Sequence, residues 1–331
     1  MKAMVLAAGL GTRLRPLTDT HPKALVEIGG RTLLEVTLSR LRSFGIRDVI
    51  INVHHFAEMI VDYLQANASF GMRLEISRED MLLDTGGGLK KAAWFFGDTA
   101  DPFILHNVDV ISTIELKSMI QAHIRDGALA TLAVKPRESS RYLLFDGHNQ
   151  LCGRRRGSET ELLRVAGNVE PLAFCGIHVI SPRLLGMLKE EGAFSIVDAY
   201  LRLAAAGENI LAFRADQYYW RDLGRIESVH QAEHDFQQNS FYAVSLKEPW
   251  EGKVVEGKYP LLELLGSSAR GPVFRTELKS ANASQRAAIK LIPVTPESAE
   301  SQLSVLRSAI ELSHPNLIKI FDVGQCQIKG G

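Results

Sequence analysis

Over the first half of the chain, short apolar runs alternate with stretches of helical periodicity. Met4-Val5-Leu6, Val49-Ile50-Ile51-Asn52-Val53, Leu74-Glu75-Ile76 and Phe103-Ile104-Leu105 have the length and composition of strands. Leu34, Val36, Leu38, Leu41 and Phe44 recur at helical spacing, and Gly45 stands where a glycine commonly ends a helix. Residues 58–66 and 89–96 read as further helices, and Leu129 to Val134 as another strand. Strand-helix-strand alternation with unbroken apolar strands predicts an α/β fold with a largely parallel sheet covered on both faces. Ligands in such sheets bind outside the carboxyl ends of the strands. The loop at Gly9, Asn52, and the turn Asn107-Val108-Asp109 all fall at such ends.

From about Tyr142 the pattern changes. Leu143-Leu144-Phe145 and Gln150-Leu151-Cys152 flank Asp146-Gly147 and read as a β-hairpin. Phe174 to Ile180 reads as a strand, residues 182–189 as a short helix, 197–206 as a longer one, and 225–237 as a helix. Residues 239–257 are polar, contain Pro249, Gly252 and Gly257, and read as a linker. The expected organisation is a domain over 1–238, a linker over 239–257 and a separate short unit over 258–331.

Composition narrows the classes. With 331 residues, 46% hydrophobic and 23% charged, the chain has the balance of an ordinary globular protein. Lys plus Arg equals Asp plus Glu at 38 each, which removes any bulk electrostatic case for nucleic acid or an anionic membrane. Cys152, Cys175 and Cys326 have no metal spacing and fit reduced thiols, so a cytoplasmic location is expected. The apolar start is cut short by Arg13 and Arg15 and reads as a first strand, not a leader. No apolar run reaches the ~20 residues of a membrane span, so no membrane insertion is expected.

The chemistry concentrates in Leu6-Ala7-Ala8-Gly9-Leu10-Gly11-Thr12-Arg13, followed by Pro22-Lys23. Glycines directly after a strand let backbone N–H groups approach phosphate oxygens with no Cβ in the way. Arg13 adds a planar fork for phosphate and Lys23 a compact charge. A dinucleotide-binding loop and a plain tight turn are the alternatives. Leu14 occupies the position of a third fingerprint glycine, which counts against NAD, and no Walker pattern occurs.

These residues resemble the signature of the sugar-1-phosphate nucleotidylyltransferases, G-x-G-T-R followed by P-K. The resemblance covers about residues 1–238. It is greatest to short bacterial N-acetylmuramate-1-phosphate uridylyltransferases and to mannose-1-phosphate guanylyltransferase-like proteins. Asp84-Thr85-Gly86-Gly87-Gly88 resembles the family's second Gly-rich loop, and Asn107-Val108-Asp109 its acidic metal turn. Phe174-Cys175-Gly176-Ile177 is similar to its sugar-side strand, and Trp220-Arg221-Asp222-Leu223-Gly224 to the segment bearing its second metal aspartate.

The resemblance implies a Rossmann-like mixed-sheet nucleotidyltransferase domain. It implies transfer from an NTP to a sugar 1-phosphate, with NDP-sugars for cell-envelope polysaccharide as the product class. Leu6, Ala8, Gly9, Gly11, Thr12, Arg13, Thr85, Gly86 and Gly87 would bind nucleotide, and Asn107 and Gly176 the sugar. Arg13, Lys23, Asp109 and Asp222 would be catalytic, with Asp109 and Asp222 holding Mg²⁺, an ion suited to two carboxylates plus phosphate oxygens. A non-catalytic NDP-sugar-binding regulator and a transferase for a non-sugar acceptor are the rival readings. A Glu-Lys-Pro segment of larger members is missing. In its neighbourhood Arg154-Arg155-Arg156 reads as a solvated hairpin tip, with contact to an anionic sugar as the alternative. His54 and His55 point to opposite strand faces and read as packing and loop residues.

Residues 258–331 resemble the start of a protein-kinase N lobe, an α+β fragment. Leu265-Gly266-Ser267-Ser268-Ala269-Arg270-Gly271 is similar to the Gly-rich loop, Ala287-Ala288-Ile289-Lys290 to the lysine strand, and His314-Pro315-Asn316-Leu317-Ile318 to the segment after the C helix. Ser268 replaces a loop glycine, and Val305 stands near the place of the carboxylate that pairs with the lysine. No catalytic loop follows, so no kinase activity is expected. The segment reads either as a pseudokinase-like lobe that binds a protein partner or as the stub of a longer gene product.

Overall fold

A computed structural model describes residues 1–164, 167–238, 253–268, 271–280, 283–292, 296–310 and 320–324. The chain divides into two compact units, Met1–His234 and Asp235–Gly331.

In the first unit the elements run β1 (Lys2–Leu6), β2 (Glu27–Ile28), β3 (Arg31–Thr32), α1 (Leu33–Ser43), β4 (Asp48–Val53), α2 (Ala57–Ala66), β5 (Arg73–Arg78) and α3 (Asp84–Lys91). They continue with β6 (Phe103–Asn107), β7 (Val110–Ser112), α4 (Leu116–Arg125), β8 (Ala130–Lys135), β9 (Arg141–Phe145), β10 (Leu151–Arg156) and β11 (Glu159–Leu162). Then follow β12 (Glu170–Ile180), α5 (Ile196–Ala205), β13 (Ile210–Arg214), β14 (Trp220–Asp222) and α6 (Ile226–Gln238).

The central sheet is mixed. Its order is β11-β10-β9-β12-β6-β1-β4-β5, with β8 joining β12 to β13. Strands β6, β1, β4 and β5 are parallel, while β12 runs antiparallel to β6, β8 and β9. Ala3, Met4, Val5 and Val49 to Ile51 are fully buried, as both-face coverage requires. One face packs Met4, Leu105, Leu132 and Phe103 against Phe96 from the segment after α3 and Tyr200 from α5. The Phe96 and Phe103 rings stack at 3.9 Å. On α1, Thr32 caps the helix by accepting from Glu35 N at 3.1 Å, the start of a Thr-x-x-Glu box.

Three local readings of the sequence are corrected. The helix expected over 89–96 begins at Asp84 and closes as α3 at Lys91, with a separate 3-10 turn over Ala93–Phe96. The glycine run Gly86 to Gly88 is therefore helical, not a loop. Its residues are buried, and a side chain on Gly86 would run into Phe194, one on Gly88 into Glu79 and Asn52. Close packing overrides the intrinsic cost of glycine in a helix, about 1 kcal/mol each. The helix expected over 182–189 is a 3-10 turn, Pro182–Met187. Arg154, Arg155 and Arg156 close β10 at its hairpin with β11, Arg156 standing opposite Glu159 across the Gly157-Ser158 turn. Arg154 bonds Glu161 and Asp198, and Arg155 lies over the Tyr142 ring at 4.6 Å.

In the second unit, Val254–Val255 pairs with Tyr259–Pro260. Glu263–Ser268, Gly271–Ser280 and Ala283–Lys290 form an antiparallel meander, and a helix spans Pro296–Ile310. Val255, Leu261 and Phe274 make a small core with Tyr259, Ile289 and Leu291 against it. Val305 is 70% exposed. Ala269, Arg270, most of the expected linker and the segment His314 to Ile318 lie outside the described residues. No described helix is long and apolar enough to cross a membrane.

Candidate active site

Register aligns the candidate residues. Leu6 at the end of β1 lies beside Asn52 of β4 and Asn107 of β6. Because these strands are parallel, the loops after β1 and β6 leave from the same edge of the sheet.

The loop after β1 is pinned from both sides. Gly11 has φ +65, and a Cβ there would sit 2.9 Å from Thr18 Cγ2 and 3.2 Å from Lys23 Cβ, so glycine is required twice over. Its carbonyl accepts from Leu14 N at 2.8 Å and from Thr18 Oγ1 at 2.8 Å. Thr12 and Arg13 form the short 3-10 turn anchored by fully buried Leu14. Ala7 N donates to Asn52 Oδ1 at 2.8 Å, and Asn52 Nδ2 donates to Glu79 Oε1 at 2.7 Å. Glu79 Oε2 in turn accepts from Leu83 N at 3.0 Å, just ahead of α3. Buried Glu79 thus ties the first glycine segment to the second. The sequence gives it no motif, and only its position after β5 signals it.

The charged groups converge at the turn after β6. Lys23 Nζ forms an ion pair with Asp109 Oδ2, and both side chains are mostly buried. Leu223 N donates to Asp109 O at 2.8 Å, and β14 pairs antiparallel with β7 so that Asp222 faces Val110. Asp222 thereby stands opposite the neighbour of Asp109, although the two aspartates are 113 positions apart in the sequence. Gly224 N donates to Asp222 Oδ1 at 2.6 Å. A Cβ on Gly224 would lie 2.7 Å from both Asp222 Oδ1 and Arg13 Nη2, so Arg13 and Asp222 rest against the same bare stretch of backbone. The pair Lys23–Asp109 and the neighbours Arg13 and Asp222 are therefore brought together where β14 lies against β7. Replacing Gly224 by alanine displaces both side chains. We expect turnover to fall at least about tenfold, as misplacement of catalytic groups commonly does, while the melting temperature barely moves. Unchanged kinetics in Gly224→Ala would show that Arg13 and Asp222 need no such placement.

On the other flank β12 changes partner. It pairs with β9 through Glu170 to Leu172 and with β6 through Ile177 to Ile180, with a register shift against β8 between Phe174 and His178. Gly176, at φ +73, makes the bend, and its Cβ position is 2.8 Å from Asn107 Nδ2. Asn107 and Gly176 are thereby in contact. Trp220 Nε1 donates to Cys175 O at 2.7 Å, which fastens β14 to this bend.

Thr85, Gly86 and Gly87 are engaged within the fold. Thr85 Oγ1 accepts from Ile196 N at 3.0 Å, and the N–H groups of Gly86 and Gly87 point to Phe194 O at 2.9 and 3.3 Å. Glu79 and Asn52 link their helix to the first loop. His54 Nδ1 is 2.8 Å from Glu79 O, and the His55 ring lies 3.9 Å from that of Phe56. Below the site, His106 is fully buried. Burial pulls its pKa down to about 4 against a raising contribution from the Asn107 carbonyl, and the Arg40 charge lowers it further.

The family profile described as Nucleotidyl transferase matches residues 2–143, which contain the first loop, Lys23, Asn52 and Asp109. N-acetylmuramate alpha-1-phosphate uridylyltransferase of Caulobacter vibrioides is 33% identical over 215 residues, 62% of this chain and 85% of that protein. The chain belongs to the nucleotidyl transferase family. Mannose-1-phosphate guanyltransferase of Aspergillus fumigatus is 36% identical over 228 residues, 68% of this chain and 61% of that protein. UTP–glucose-1-phosphate uridylyltransferase of Synechocystis is 29% identical, and the chain again spans only 62% of its length. Among solved structures, a putative glucose-1-phosphate thymidylyltransferase from Bacillus anthracis superposes with a TM-score of 0.61 at 18% identity, covering 71% of this chain and 94% of that one. HddC from Yersinia pseudotuberculosis gives 0.58 at 20% identity, covering 71% and 99%. Those two likenesses establish that the mixed sheet of this nucleotidyl transferase has the fold of its solved neighbours.

Proposed function

We propose that this nucleotidyl transferase joins a nucleoside triphosphate to a sugar 1-phosphate, giving an NDP-sugar and pyrophosphate, with Mg²⁺ as its metal. The observation that carries the reading is the meeting of Arg13, Lys23, Asp109 and Asp222, from four chain segments, at the carboxyl edge of the sheet. The donor set suits magnesium, a hard ion that takes one or two carboxylates together with water and phosphate oxygens. Asp109 and Asp222 would hold the ion, which when bound supplies Lewis-acid polarisation of a phosphoryl group.

The chain's own residues account for the remaining demands. Attack by one phosphate on another brings two anions together. The guanidinium of Arg13 and the ammonium of Lys23 offset that repulsion and the charge on departing pyrophosphate. The Gly9 to Thr12 loop presents backbone N–H groups to phosphate oxygens, and Leu6, Ala8 and Gly9 hold the base through backbone groups. Thr85, Gly86 and Gly87 shape the far wall of the nucleotide site through α3. Asn107 and the bare backbone of Gly176 face the sugar. No general base is needed, because the phosphate nucleophile is already ionised. Residues 258–331 take no part in this chemistry and carry no phosphoryl-transfer activity.

Metal removal tests the assignment. Pyrophosphate release should disappear in EDTA and return with added Mg²⁺. Release that continues undiminished in EDTA would contradict it.

A further inference from the structure

Two cations, Lys135 and Arg137, stand beside β12 with no ion pair among the described residues. Strand β8 is antiparallel to β12 and therefore parallel to β6, so it ends at the same edge of the sheet as the site. Lys135 closes β8 opposite Ala173, and Arg137 follows two residues later. Arg137 Nη2 donates to Phe174 O at 3.0 Å and Nη1 to Glu138 O at 3.3 Å. Its guanidinium lies 4.2 Å from the centre of the Trp220 ring. Lys135 Nζ donates to Tyr218 O. Every one of these partners is a neutral carbonyl or an aromatic face. Among the described residues neither cation forms an ion pair, and the buried Nε of Arg137 has no partner at all. Other partly buried arginines of this unit, Arg31, Arg154, Arg202 and Arg214, each bond a carboxylate.

We propose that Arg137, assisted by Lys135, reads a carboxylate carried on the sugar ring of the acceptor. This rests on the reading of the site as a sugar-1-phosphate nucleotidylyltransferase. Placement supports a ring substituent over the 1-phosphate. The reacting phosphates belong beside Arg13, Lys23 and Asp222. Trp220, the platform under Arg137, is two residues from Asp222 on β14, about 7 Å along an extended strand. That offset is of the order of a sugar ring's width. Gly176, in contact with Asn107, follows Cys175, whose carbonyl holds the Trp220 indole, so the residues assigned to the sugar ring adjoin this platform. Stacking on Trp220 and the bond to Phe174 O fix the plane of the guanidinium in advance, the condition under which arginine recognises a carboxylate through two parallel hydrogen bonds. A neutral hydroxyl at the same place would leave the charge uncompensated, so the subsite discriminates between acid and neutral sugars.

The test compares matched acceptors on the full chain. N-acetylmuramic acid 1-phosphate is set against N-acetylglucosamine 1-phosphate, and glucuronic acid 1-phosphate against glucose 1-phosphate. In at least one pair the wild-type protein should favour the acid in kcat/KM by about tenfold to a hundredfold, the range for a charge-assisted hydrogen bond. In Arg137→Gln that ratio should fall at least tenfold, and Arg137→Lys should restore part of it. The ratio is the readout because damage to the fold lowers both arms together. A wild type that favours neither acid, or a variant that loses both arms equally, overturns the subsite while leaving the transferase reading intact. Absence of pyrophosphate release with all four acceptors and every NTP overturns both.

Discussion

Replacing Asp109 by asparagine is expected to lower pyrophosphate release at least about a hundredfold, equivalent to about 2.7 kcal/mol of transition-state stabilisation. Asparagine keeps the volume of the side chain and leaves the Leu223 N bond to the residue 109 carbonyl in place, so β14 stays docked against β7. What disappears is the charge that partners Lys23 and that, in the proposed reading, would hold the metal together with Asp222. Some stability goes with it, because Lys23 loses a partner in a mostly buried pair. The catalytic loss should nevertheless exceed the structural one. Thermal melts and single-turnover kinetics on the same preparations separate the two. Turnover within threefold of wild type would remove Asp109 from the chemistry.

The second large effect is on stability in mild acid. His106 and His178 are almost fully buried within the sheet. Burial pulls the His106 pKa to about 4 and, aided by the nearby His106, that of His178 to about 3. Buried His123 is pulled to about 4 by the same cause. In the unfolded chain each returns to about 6.5. Between pH 6.5 and 4 the unfolded state therefore binds more protons, and stability must fall as the pH falls through that window. The imidazoles have neutral-state work in the fold: His178 Nδ1 is 2.8 Å from Tyr200 Oη, and His123 lies 3.0 Å from both Thr131 Oγ1 and Ser181 Oγ. Together the three groups should remove several kcal/mol by about pH 4, a large share of a typical stability of about 5–15 kcal/mol. Urea midpoints measured from pH 7 to 4 check this, and His178→Gln should flatten the slope. A midpoint that stays level from pH 7 to 4.5 would contradict it.

Much of the site was legible because it sits where local rules are strong. Apolar runs placed β1, β4 and β6, and the carboxyl-end rule then put Gly9, Asn52 and Asn107 to Asp109 along one edge. The register Leu6 with Asn52 and Asn107 is the physical form of that rule. The hairpin around Asp146-Gly147 was legible for a similar reason, since its turn residues fix it locally. Other features depend on partners distant in sequence. Gly86 to Gly88 read as a loop, and became helix because Phe194, Gly192, Asn52 and Glu79 leave no room for side chains. The arginines of β10 read as a solvated tip and do end the strand at its turn, but the bonds of Arg154 to Glu161 and Asp198 depend on the polar, exposed β11 and on α5, which no apolar alternation reveals. Glu79 was silent for the same reason. Its meaning lies in the bonds to Asn52 and Leu83, which no spacing encodes.

Nucleotidyl transfer to a sugar 1-phosphate is checked by looking for both products at once. The full chain is incubated with Mg²⁺, each of the common NTPs and a panel of sugar 1-phosphates, and the mixtures are resolved by mass spectrometry with pyrophosphate measured in parallel. The account expects at least one pairing to yield an NDP-sugar and pyrophosphate in equal amounts. A protein that binds an NDP-sugar yet forms neither product with any pairing would contradict it, and would place the chain among binding proteins built on the same fold.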